Sequence, residues 1–175
     1  KLSDQELIPA SQQTEYIRTH PLTPNRIEAV KTRAQKSAFY GKAFPDSWNQ
    51  QHARMKAKLI AFINPGRVPW EYDDSDDSIP ARYARTIAAY RQSREEDAIS
   101  GINALLDIEP QNPYFHELKG QMLFDFGQIT ESIPPYRQAI SMLPDAPLLH
   151  IALAHALIEA RGGQDSLEEA IRHLE

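Results

Sequence analysis

Apolar residues recur along most of this chain at steps of three and four, the spacing that lines one face of an α-helix. From residue 79 onward the pattern itself recurs. A segment ending in "LLDIEP" closes on Pro110 and one ending in "ISMLP" closes on Pro144, 34 positions later. With Pro110 as anchor, a helix over Glu95–Ile108 places Ala98, Ile102 and Leu105 on one face. A helix from Pro113 then carries Gly120 where a neighbour crosses closely, Gly127 makes a turn, Tyr136 and Ala139 face inward, and Pro144 ends the unit. A third unit opens at Pro147 with Leu153 and Ala154, turns at Gly162-Gly163, and continues through Ala170 and Leu174. The first unit begins near Ile79, where Ser78 can accept a hydrogen bond from the helix start. Pro80 sits in the first turn, where a missing N–H is harmless.

This period and the alternation of small and large inward positions resemble tetratricopeptide repeats. In such repeats a helix pair cannot bury its apolar face alone and stacks on its neighbours. The expected fold is all-α: antiparallel helix pairs stacked as a tetratricopeptide-type right-handed superhelix, preceded by additional helices. The first helix of each pair lines the concave wall. In this register the wall carries Tyr83, Ile87 and Tyr90, then Tyr114, Glu117, Gln121 and Phe124, then Ile151, His155 and Ile158. An aromatic wall suits an extended or helical peptide. An apolar stripe at helical spacing is equally compatible with core, and the upstream helix could fill the same concavity. Related co-chaperones clamp a peptide carboxylate with basic and amide side chains, whereas Tyr83, Ile87, Leu118, Leu148 and Ala152 stand at the equivalent places here. Carboxylate recognition is not expected.

Upstream the organisation changes. Residues 1–23 read as a connecting segment, 24–78 as a helical linker region, and 79–175 as about two and a half repeats. Ile27, Val30 and Ala34 fall on one face of a helix that follows Pro24. A second helix, about Ser47 to Ile63, carries Trp48, His52, Met55, Leu59 and Phe62 as an expected core-facing stripe. The segment "NPGRVPWEYDDSDDSIP" marks a boundary before the repeats. The chain stops at Glu175 within an amphipathic helix that has no capping helix, which is the expectation for a fragment.

Composition narrows the chemistry. The 175 residues are 41% apolar and 25% charged, in the ordinary globular range, and no apolar run is long enough to span a bilayer. A net charge of -5 without a basic block argues against nucleic acid. There is no cysteine for a disulfide or a thiolate metal site. The six histidines, His20, His52, His116, His150, His155 and His173, include no pair four apart with an adjacent glutamate, so no HExxH zinc helix exists. Asp73, Asp74, Asp76 and Asp77 lack the glycine and distal glutamate of a calcium loop and read as a solvated linker. No catalytic residue is expected in this chain.

One motif goes further. "YIRTHPLTPNRIEAV", with His20, Pro21, Arg26 and Ile27, resembles a signature late in the catalytic domain of membrane-associated zinc metallopeptidases of the HtpX and BepA type. The BepA-like branch continues into a tetratricopeptide array, as this sequence does. The resemblance implies that the chain is the protein-binding region of a zinc metalloprotease. The array would present protein or peptide clients to a catalytic domain in envelope protein quality control. It implies zinc in the parent protein and none held here, and a periplasmic or cell-envelope location. It also implies that His20 faces the active-site cleft while Arg26 anchors the segment or meets a carboxylate. The alternative is a stand-alone tetratricopeptide adaptor without protease activity.

Overall fold

A computed structural model describes the backbone of residues 23–174 and the side chains of 26–174. His20 lies outside the described residues. The chain divides between Pro45 and Asp46 into two compact units. In the first, α1 spans Thr23–Gln35. Its Arg26, Ile27 and Val30 are exposed.

The second unit is a stack of helices: α2 (Asp46–Ile63), a single 3-10 turn at Pro65–Arg67, α3 (Val68–Glu71), α4 (Ile79–Arg91), α5 (Glu95–Ile108), α6 (Pro113–Asp125), α7 (Ile129–Met142), α8 (Pro147–Glu159) and α9 (Gln164–Leu174). Helices α4 and α5, α6 and α7, and α8 and α9 form the three pairs, and α5 and α7 each pack on the opening helix of the next pair. No strand occurs among the described residues. The fold is therefore the all-helical repeat read from the sequence, and α5 has the bounds the periodicity placed on it.

The 34-residue period is written into the backbone as well as the side chains. Ser93, Gly127 and Arg161, each one period apart, all take left-handed backbone angles at the turn within a pair, with φ of 56°, 82° and 50°. Only glycine adopts this region without a Cβ penalty. Two further bonds recur with the period. The amides of Arg94 and Gln128 donate to the carbonyls of Ala89 and Leu123 at 2.9 and 2.8 Å, closing the first two turns identically. His116 and His150 each place Nε2 2.8 and 2.7 Å from the carbonyl oxygens of Pro110 and Pro144. These imidazoles join the end of one pair to the start of the next, which gives two of the six histidines a structural role.

Helix starts follow local chemistry. The Ser78 hydroxyl accepts from the Ala81 amide at 3.4 Å, and the Asn112 side chain accepts from the Tyr114 amide at 3.1 Å. Pro80 and Pro113 occupy first turns. The acidic connection is ordered by its own hydrogen bonds: the Asp73 and Asp76 carboxylates accept from the Ser75 and Ser78 amides at 2.9 Å. Arg85 on α4 donates to the carbonyls of Asp73 and Asp76 at 2.9 and 2.6 Å, strapping the connection to the helix it precedes.

The core has two parts. One gathers Ala57, Ala61, Val68, Ile87, Ile102, Leu105, Phe115 and Met122 from α2 to α6, and the other gathers Tyr136, Leu153, Leu157 and Ala170 from α7 to α9. Helix α2 corrects the sequence reading. Trp48, Met55 and Leu59 are 60%, 62% and 58% exposed and His52 is exposed as well, while Ala57 and Ala61 are fully buried. The buried face carries alanines because α4 presents alanines in return, at Ala84 and Ala88, and small residues let two helices approach closely. Phe62 alone of the expected stripe packs against this core.

Candidate functional site

The first-pair wall is occupied. Tyr83, Ile87 and Tyr90 are 4%, 0% and 8% exposed, so these three proposed peptide contacts are core residues. Their cover is α2. Arg54 lies close enough to Tyr83 to act on its hydroxyl, and the Phe62 ring meets the Tyr90 ring edge-on at 6.2 Å, so α2 and α4 run in the same direction. Tyr83 also packs on Phe115 at 5.3 Å, and Tyr90 on Phe126 at 5.8 Å. Burial holds both hydroxyls above the ordinary phenol range, with Glu117 adding to the effect at Tyr83. The Tyr90 hydroxyl donates to the Asp125 carboxylate.

A bidentate pair fixes the α2 end of this arrangement. Arg54 donates from both terminal nitrogens to Glu109, at 2.7 and 2.6 Å, and Asn112 donates to the same carboxylate at 2.8 Å. The Arg54 hydrogen bond holds Glu109 below the usual carboxylate range. A carboxyl whose folded pKa is depressed stabilises the fold above its unfolded pKa, and the stabilisation disappears as pH falls through the folded value. Arg54→Ala is therefore expected to cost about 1–2 kcal/mol at neutral pH, as for charge-assisted hydrogen bonds at a partly shielded site. The cost should shrink on acidification below the ordinary carboxylate range, which paired denaturation curves at several pH values would show.

Beyond α2 the wall is open. Tyr114 is 57% exposed on α6, Ile151 and Ile158 are 53% and 45% exposed on α8, and Leu148 at the start of α8 is 74% exposed. Gln121 and His155 are exposed, and Glu117 and Phe124 are half-buried. Helices α6 and α8 touch directly, and the Phe124 ring lies 4.7 Å from the His155 ring, so these side chains form one continuous surface. Four of the seven proposed peptide-contact residues, Tyr114, Glu117, Gln121 and Phe124, thus remain available to a ligand. The wall continues through Ile151, His155 and Ile158.

Other groups offer less. A cleft of about 380 Å³ between α3, α4 and α5 contains Arg82, Arg85 and Arg94. Each already donates within the chain, Arg82 to Asp77, Arg85 to the two linker carbonyls and Arg94 to Asp97. Among the described residues no three His, Asp or Glu side chains gather closely enough to hold a metal ion, so the zinc implied for the parent protein has no ligand set among them. None of the described helices is long and apolar enough to cross a membrane.

Comparison with known proteins places this surface in context. No family model matches the chain. It is 22% identical over 169 residues to the beta-barrel assembly-enhancing protease of Yersinia pestis, covering 92% of this chain and 34% of that protein. The beta-barrel assembly-enhancing protease of Escherichia coli K12 is 24% identical over 172 residues, covering 94% of this chain and 34% of its own length. The chain thus spans about a third of the curated relatives it matches. Among solved structures, MamA from AMB-1 superposes with a TM-score of 0.53 at 15% identity, over 86% of this chain and 80% of that one. MamA from MSR-1 gives 0.53 at 16% identity, over 85% and 87%. These structures speak for the fold alone. The described residues form an all-helical repeat fold, and the chain has weak sequence similarity to the beta-barrel assembly-enhancing proteases.

Proposed function

We propose that this chain is the client-binding repeat region of a zinc-dependent metalloprotease of the beta-barrel assembly-enhancing type. The open surface of α6 and α8 holds unassembled or misfolded envelope proteins, and a catalytic domain elsewhere in the same polypeptide cleaves them. The observation that carries the reading is the contrast between the two parts of the inner wall. Helix α2 closes the first pair, while Tyr114, Ile151 and Ile158 stay exposed on the next two, with half-buried Phe124 between them. The similarity to the proteases supports the rest, because it runs through nearly the whole chain, including the stretch with His20 and Arg26.

The mechanism is local concentration. A tethered surface with weak affinity for an unfolded segment raises the concentration of cleavable chain beside the active site. Zinc would supply the activated water in the catalytic domain, and His20 would face that cleft. The residues described here bind and orient the client.

The test uses the full-length protease. Ile151→Asp combined with Ile158→Asp is expected to raise KM for an unfolded protein client by about tenfold, as loss of central apolar contacts does. The value of kcat and the cleavage of a short peptide that reaches only the active site should stay unchanged. Equal KM in the two proteins would refute a client-binding wall. A polypeptide without any HExxH helix would remove the protease assignment and leave an adaptor.

A further inference from the structure

The charge on the open wall defines what it binds. In α6 the inner positions are Tyr114, Glu117, Gln121, Phe124 and Asp125, and one period later in α8 they are Leu148, Ile151, His155, Ile158 and Glu159. The Tyr90–Asp125 hydrogen bond and the Phe124–His155 ring contact show these positions lying side by side across neighbouring pairs. Three of the ten are carboxylates and none is lysine or arginine.

Asp125 is held by the Tyr90 hydroxyl, and no lysine or arginine lies within ion-pair distance of it among the described residues. Arg54 is held by Glu109. Lys119 is two residues from Glu117, roughly 200° around the helix and on another face. Glu117 has no cation within ion-pair distance among the described residues, and Glu159 meets only the His155 ring of its own helix, at 3.9 Å. Two carboxylates therefore border an exposed aromatic and aliphatic surface without compensation.

We infer that this groove takes a protein segment in which lysine or arginine alternates with large apolar side chains. The apolar residues cover Tyr114, Phe124, Ile151 and Ile158. The cationic residue reaches Glu117 or Glu159, and an arginine can also stack on the Tyr114 ring. Acidic segments are rejected, because they would bring like charge against a surface that supplies no donor cation. The inference rests on the proposal that the wall binds clients, and it adds the class of segment chosen.

Fluorescence anisotropy on the 175-residue chain tests it, with labelled peptides of identical apolar residues whose polar positions are all lysine, all glutamate or all serine. The lysine peptide is expected to bind about tenfold more tightly than the glutamate peptide at low salt, with serine between them. Added salt should narrow that gap. Glu117→Gln with Glu159→Gln should remove the preference, and Glu117→Lys with Glu159→Lys should reverse it, while Glu96→Lys with Glu131→Lys should leave it intact. Circular dichroism checks that each variant remains helical. Equal binding of lysine and glutamate peptides overturns the charge inference and leaves the groove itself standing. If no peptide binds, or if Ile151→Asp with Ile158→Asp changes nothing, the groove reading fails and takes this inference with it.

Discussion

Gly120→Val is expected to be among the most damaging single substitutions in the repeats, lowering stability by about 3 kcal/mol or more. A Cβ on Gly120 would lie 2.8–2.9 Å from three atoms of the Tyr136 ring, including the ring carbon nearest the backbone. The whole ring would have to shift. Tyr136 is 5% exposed and packs with Leu153 and Leu157, so it has no free volume to enter. Gly120→Ala tests the same contact more gently. Alanine is the better helix former by about 1 kcal/mol, and the clash should outweigh that gain, leaving a net loss of about 1–2 kcal/mol. Thermal denaturation gives both values, and Gln138→Ala on the exposed side of α7 provides the neutral reference. A Gly120→Ala protein as stable as the parent would mean that α6 and α7 do not cross closely at this position.

The second large effect separates core from ligand surface along one wall. Ile87→Ala should cost about 2–5 kcal/mol, the range for truncating a fully buried aliphatic side chain. Ile151→Ala, at the 53% exposed position on α8, should stay within about 0.5 kcal/mol of the parent. Sequence alone assigns Ile87 and Ile151 to equivalent roles, because both occupy the first helix of a pair at similar helical positions. The structure separates them by one neighbour, α2, which lies on α4 and does not extend over α8. Urea denaturation of the two variants reads the difference, and equal small losses would show that α2 does not cover the first pair in solution.

The repeats were legible because their signals are local and periodic. Gly120 and Ala154, one period apart, are both buried small residues, and Ser78 with Pro80 announces a helix start that the hydrogen bond from Ala81 realises. The recurring His116 and His150 bonds to proline carbonyls could have been anticipated, since each imidazole stands six residues after its proline. No rule based on metal-ligand spacing would have singled them out. Helix α2 departs from its sequence pattern for a physical reason. Its large side chains, Trp48, Met55 and Leu59, mark one face, but the partner helix is lined with alanine and selects the small face of Ala57 and Ala61. Which side of a helix is buried depends on the neighbour, and a single sequence does not reveal that neighbour. The same limit explains the candidate site. Tyr83, Ile87 and Tyr90 have the right spacing for a binding wall, and only the position of α2 decides that they are core. The Arg54–Glu109 pair, 55 residues apart in sequence, likewise carries no local signature.

The central claim is that one part of the inner wall is sealed by α2 and the next is open to protein segments. Methyl NMR during titration with the lysine-bearing peptide tests it most directly. Saturable shifts at Ile151 and Ile158, with Ile87 and Ala57 unmoved, are the predicted result. Shifts centred on Ile87 and Ala57 would contradict the account, because they would mean that the ligand displaces α2 and occupies the wall assigned to the core.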